Sequence, residues 1–114
     1  MTFEVEQGNP SVITLEGSAL GGPEGMQFSA ALGELLEQTG GGAIVVDLSG
    51  VDIMNSSGLG MLVAASRSVA SGGGRIVLAG ANENLRKLFA MTRLDSVFQT
   101  YGSRAEAVEA LSSR

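Results

Sequence analysis

Two short runs, "AIVVDL" from Ala43 to Leu48 and "RIVLAG" from Arg75 to Gly80, constrain this chain more than any other feature. Each is apolar almost without interruption, rich in β-branched residues, and bounded by glycines. A strand with one wet face alternates polar and apolar residues; an unbroken run belongs to a strand covered on both faces. Between them, from Leu59 to Ala70, apolar residues recur at helical spacing and stop at "SGGG". Strand, helix and strand in that order predict a right-handed crossover in a parallel sheet.

The flanking sequence extends the pattern. "TFEVE" alternates, with Phe3 and Val5 against Glu4 and Glu6, and after the turn signal "GNP" the run "SVITLEG" alternates again, with Ile13 and Leu15 inward. Such a pair predicts an antiparallel hairpin whose first strand lies at a sheet edge. Pro23 suits the first turn of a helix, and Phe28, Leu32, Leu35 and Leu36 then form its inward face, up to the stop at "TGGGA". Asn82 can cap a short helix facing inward through Leu85, Leu88 and Phe89. "DSVFQ" reads as a strand, and Ser103 with Glu106 has the spacing of a capping box before a helix that buries Val108 and Leu111. The expectation is one α/β domain over residues 1–114, with a mostly parallel sheet, an antiparallel N-terminal edge strand and about four helices.

The totals exclude several functions. With 7 basic and 12 acidic residues the net charge is −5, unlike proteins that hold nucleic acid or anionic membranes through excess Lys and Arg. There is no cysteine and no histidine, which removes thiol chemistry, the commonest general base and the commonest zinc ligand. No metal and no cofactor is expected. No apolar run approaches membrane-spanning length, and "MTFEVEQG" does not look like a signal peptide, so a cytoplasmic location is expected.

The junction "DLSGVDIMNSSGLGMLV", Asp47 to Val63, holds the residues that call for an explanation. "MNSSG" has half of a nucleophile elbow, but no histidine exists to take the serine proton, and nothing in the spacing brings Lys87 to the task. "SSGLG" lies where backbone N–H groups could hold an anion, yet no P-loop lysine follows, and a residue other than glycine stands where the dinucleotide fingerprint needs its third glycine. An ordinary reading makes Asn55 or Ser56 a helix cap. Against it stands the helix that follows, with Leu59, Leu62, Val63, Ser66, Val69 and Ala70 on one face, Met61, Ala64, Ala65 and Ser68 on another, and Arg67 as its single charge. The second face is either covered by the domain's own loops or is a docking surface for a protein. A serine beside such a surface, at a helix N-terminus, suits a phosphorylation switch whose chemistry a partner kinase supplies.

The same residues carry a resemblance. "VVDLSGVDIMNSSGLGMLV" is similar to the signature of STAS domains of the bacterial anti-sigma factor antagonists, D-L-S-x-V-x-x-(M or I)-D-S-S-G-L-G. "GGGRIVLAGANENLRKLFAMTRLDSVFQTYGSRAEAVEAL" resembles the rest of that domain. The resemblance implies a non-enzymatic protein that binds a serine kinase doubling as an anti-sigma factor and is disabled by phosphorylation. It implies Ser56 as the phosphorylated serine, with Ser57 second. Gly58, Leu59, Gly60, Met61 and Ala64 are then the expected contact surface, with Asn55 and Ser57 beside the switch and Ser18 and Leu20 at the margin. Two positions depart from the pattern: Asn55 stands for the aspartate before the serine, and Leu20 for the aspartate that ends the loop after the second strand. Two other functions fit the same residues. One is a STAS interaction module of a transporter or signalling complex without the switch; the other is a small-molecule or nucleotide-binding domain.

Overall fold

The β-branched hexads lie at the centre of one five-stranded sheet whose spatial order, β1-β2-β3-β4-β5, is also the order of the chain. In the computed structural model, which describes residues 2–8, 10–19, 23–39, 42–96 and 98–112, the elements are β1 (Thr2–Glu6), β2 (Ser11–Ala19), α1 (Pro23–Thr39), β3 (Ala43–Met54), α2 (Ser56–Ser71), β4 (Arg75–Ala79), α3 (Glu83–Met91), a 3-10 turn (Leu94–Ser96), β5 (Gln99–Tyr101) and α4 (Arg104–Ser112). β1 is antiparallel to β2, with Phe3 opposite Leu15 and Val5 opposite Ile13, and all later pairings are parallel. The expected hairpin, edge strand and parallel sheet are therefore present.

Alternation along the buried strands divides the core in two. Ile13 and Leu15 of β2, Ile44, Val46 and Leu48 of β3, and Ile76 and Leu78 of β4 face the cluster that α1, α2 and α3 complete with Phe28, Leu32, Leu62, Val69, Leu85 and Phe89. Phe3 meets Phe28 edge to face, with ring centroids 6.1 Å apart. The opposite face, Val12, Val45, Val77 and Ala79, is covered by Ala107 and Leu111 of α4. Three right-handed crossovers in one direction must place their helices on one side, so a single helix is left for the other. Among the described residues no helix is long and apolar enough to cross a membrane.

Three expectations need correction. The strand of "AIVVDL" does not stop near Asp47 but runs on to Met54. β2 follows it there only by register shifts between Thr14 and Glu16 and between Gly17 and Ala19, each leaving one extra residue on β3. Strand β5 does not span "DSVFQ" but begins only at its last residue, Gln99, and runs to Tyr101, because Leu94–Ser96 winds into the 3-10 turn. In α4 the fully buried residue is Ala107, and Val108 is only half-buried; a small side chain lets the helix lie close to the valines beneath it.

Candidate phosphorylation and docking site at the start of the second helix

Beyond Asp47 the chain leaves the centre of the sheet and carries its last residues to the C-terminal edge, where Asn55 ends the strand. Asn55 has extended backbone angles, φ −107° and ψ −174°, as an N-cap requires. Its side-chain oxygen accepts from the Gly58 N–H at 2.9 Å, and its carbonyl accepts from the Leu59 N–H at 2.9 Å. Asn55, not Ser56, is thus the cap, and this leaves both serine hydroxyls free for other work. Ser56 and Ser57 are the first two residues of α2, and both are exposed. Asn55→Ala is expected to lower stability by about 1 kcal/mol while Asn55→Asp costs much less, since aspartate caps as well as asparagine; paired denaturant titrations check this.

Asn82 caps α3 in the same way, accepting from the Leu85 N–H at 2.8 Å, and its amide nitrogen donates to the carbonyls of Val51 at 3.1 Å and Asp52 at 3.3 Å. The starts of α2 and α3 are thereby tied to one another through the tip of β3. Asp52 is exposed, its carboxylate accepting from the Ile53 N–H at 2.8 Å, and Ile53 is 56% exposed.

The expected contact residues divide. Asn55, Ser56, Ser57, Gly60 and Ala64 are exposed, and with Ser68 they run along the outer side of α2. Gly58, Leu59 and Met61 are buried. Met61 is the clearest correction: expected on the outer face, it is 7% exposed and belongs to the core together with Ala65. The cause is α1. Its Gly25 carries no side chain, and a carbon placed there would lie 3.6 Å from the Met61 sulfur, so α1 approaches closely and covers that side of α2. The second apolar face of α2 is therefore shared between a neighbouring helix and solvent, and the exposed part is a stripe of small residues. Ser18 lies in β2, and Leu20 lies outside the described residues. Sequence reasoning found Asn82 as a cap but missed its hold on β3, which only the strand's extension beyond Asp47 brings within reach.

Among the described residues no group of three or more acidic, cysteine or histidine side chains could hold a metal ion. What this edge offers is an exposed hydroxyl pair at a capped helix start and a smooth outer helix face. A family model described as Mlab, STAS domain, matches residues 2–100. The chain belongs to the STAS domain family. This STAS domain is 34% identical over 71 residues to a Thermotoga neapolitana protein named as a candidate anti-sigma factor antagonist, a match covering 62% of this chain and 63% of that one. A Thermotoga maritima protein with a similar name is 33% identical over 66 residues, covering 58% of each. The STAS domain thus matches 63% and 58% of the length of these curated relatives. In three dimensions it superposes on the phosphorylated form of the Bacillus cell fate determinant SpoIIAA with a TM-score of 0.76 at 22% identity, covering 96% of this chain and 99% of that one. The family resemblance carried by residues 45–63 and 72–111 is borne out, and so is the fold it implied.

Proposed function

We propose that this STAS domain is an anti-sigma factor antagonist without catalytic activity, which binds a serine-kinase anti-sigma factor and is released when that kinase phosphorylates Ser56. The observation that carries the proposal is the exposed Ser56 on the first turn of a helix already capped by Asn55, next to the exposed Gly60 and Ala64. The names of the two Thermotoga relatives support the choice of partner. A phosphate on Ser56 would meet free N–H groups and the positive end of the helix, worth about 0.3–1 kcal/mol at an exposed position. It would also bring roughly −1.5 to −2 charges to a stripe that otherwise bears only small uncharged side chains down to Arg67. A partner packed closely on glycine and alanine has no room for a phosphate and no compensating cation there.

The test is incubation with the cognate kinase followed by mass spectrometry and binding measurements. Ser56 is expected to be modified, Ser56→Ala to bind as the parent does, and Ser56→Asp to bind more weakly but not as weakly as the phosphorylated form, since aspartate carries about half the charge of a phosphate. A bound kinase that leaves Ser56 unmodified, with Ser56→Asp binding undiminished, would overturn the switch. That outcome would favour an interaction module of a transporter or signalling complex. The observation favouring such a module is Asn55: a kinase that orients its serine through a neighbouring carboxylate finds a neutral amide, itself engaged with Gly58.

A further inference from the structure

We propose that this domain associates head to tail with a second copy of itself: Met91, at the end of α3, fits as a knob into the groove between β1 and α1 of the next copy. The contact does not depend on the Ser56 switch, and neither surface includes a residue of α2.

The groove belongs to the edge of the sheet. β1 pairs only with β2, and α1 packs on it, with Phe3 against Phe28. Beside the end of the strand lies a cavity of about 210 Å³, lined by Val5, Gln7, Ala31, Glu34, Leu35 and Gln38. Its floor is apolar. Leu35 is buried, and Val5, opposite Ile13, is 38% exposed. The Gln7 side chain donates to that of Gln38, which joins strand to helix, and Glu34 is the only charge of the lining. An apolar cavity of about 150 Å³ holds a benzene ring, so this one has room for a methionine side chain.

The knob lies at the opposite edge. α1 packs on β1 and α2, whereas α3 packs on the 3-10 turn that borders β5, and β1 and β5 are the two ends of the sheet. Met91 is the last residue of α3 and is 82% exposed, the most of any large apolar side chain among the described residues. One exposed methionine is ordinary, but its surroundings are basic in an acidic chain. Three of the seven basic residues, Arg86, Lys87 and Arg93, fall within residues 83–93, whereas α1 carries three glutamates and neither lysine nor arginine. Lys87 stands one turn before Met91 on the same face, paired with Glu83 at 3.5 Å. Arg93 follows the C-cap Thr92 and has a left-handed backbone, φ 61°, at the position that helices ordinarily give to glycine. A chain with 17 glycines keeps an arginine there at a cost in backbone strain, as suits a guanidinium that acts outside its own domain. Met26 and Ile53 are exposed too, but Met26 belongs to the helix without basic residues and Ile53 follows Asp52, so neither brings a cation to an acidic groove. Because knob and groove lie at opposite edges, one copy cannot bury both against the same neighbour. The contact is therefore heterologous and repeats along an open chain. It is also small, and small contacts are weak.

Sedimentation velocity at rising protein concentration, up to about 1 mM, reads the association. The parent is expected to grow past the dimer, and added salt to shrink the assemblies, since exposed charges are screened. Met91→Glu removes the knob and Ala31→Phe fills the groove; each should be monomeric. Glu34→Lys, a change confined to the surface, serves as a second groove variant, and urea titrations confirm that the variants remain folded. Mixed with Met91→Glu, either groove variant should form a one-to-one dimer and nothing larger, because one chain keeps the knob and the other the groove. Arg93→Gly should raise the urea midpoint and still weaken association about two- to fivefold. A parent that is monomeric throughout, or that stops at a dimer, overturns the head-to-tail contact. So do association unchanged in folded Met91→Glu and mixtures that stay monomeric with both groove variants. Vesicles of phosphatidylserine and phosphatidylcholine test the rival occupant: a monomeric parent held on them, and released by Met91→Glu, assigns the knob to a membrane surface and overturns the proposal.

Discussion

Gly74→Ala is expected to destabilise the fold by about 3 kcal/mol, at the upper end of what overfilling a packed site costs. Gly74 immediately precedes β4 and lies against Gly42, which precedes β3; the Arg75 N–H donates to the Gly42 carbonyl at 3.1 Å where the two central strands begin to pair. A Cβ on Gly74 would stand 2.3 Å from the Gly42 oxygen, 3.1 Å from its nitrogen and 3.0 Å from a methyl of Val69. Two of those three obstacles are backbone atoms in the first rung of the sheet, so no rotamer change relieves the contact. The strands must part at their start, or the end of α2 must lift away from Val69. Gly33→Ala is the control: nothing lies within 4 Å of the added carbon, the site is on the exposed side of α1, and alanine there should stabilise by about 0.5–1 kcal/mol. Urea titrations of both variants decide the matter, and an unchanged midpoint for Gly74→Ala would show that the two strand starts are not in the contact described.

Met61→Glu should cost about 3 kcal/mol or more, while Ala64→Glu, three residues along the same helix, should change stability by no more than about 0.5 kcal/mol. The difference comes from α1. Met61 is packed in the core beside Gly25, and a carboxylate there is buried with no partner or must push the helices apart. Ala64 faces solvent, and a carboxylate there remains hydrated. For binding the order reverses in meaning. Ala64→Glu places a charge on the small-residue stripe of an intact fold and is expected to abolish partner binding, whereas binding lost in Met61→Glu reports only that α2 has moved. Thermal melts alongside binding isotherms separate the two. A stable Met61→Glu protein would place that side chain on the surface after all.

The parts of the molecule legible in the sequence are those where one local rule dominates. Unbroken β-branched runs marked β3 and β4, alternation marked the hairpin, and Asn82 and Ser103 stood where caps belong; the Glu106 N–H does donate to the Ser103 hydroxyl, at 3.2 Å. The parts that were not legible depend on two elements at once. "LSG" after Asp47 has the composition of a turn, but β2 holds it extended through bulges, and Gly50 is what permits this: a Cβ there would meet the Leu15 carbonyl at 3.2 Å and Glu16 at 2.9 Å. Met61 could not be placed from α2 alone, because helical spacing gives a face without saying which neighbour covers it. At the site, the exposed serines and the cap were readable from their order. The role of Asn82 toward β3 was not, since it joins residues 30 and 31 positions apart.

Because the strands are added to the sheet in the order in which they leave the ribosome, each can dock on its predecessor as soon as its crossover helix is complete. One side of the growing sheet is thus clothed step by step, by α1, α2 and α3. The other side has no such schedule. Val12, Val45, Val77 and Ala79 wait bare until residues 104–112 arrive with Ala107 and Leu111. A sheet that forms before α4 docks would expose that valine face, so the interval before α4 closes is when a chaperone would gain most by holding the chain and when neighbouring chains would be most prone to stick to one another.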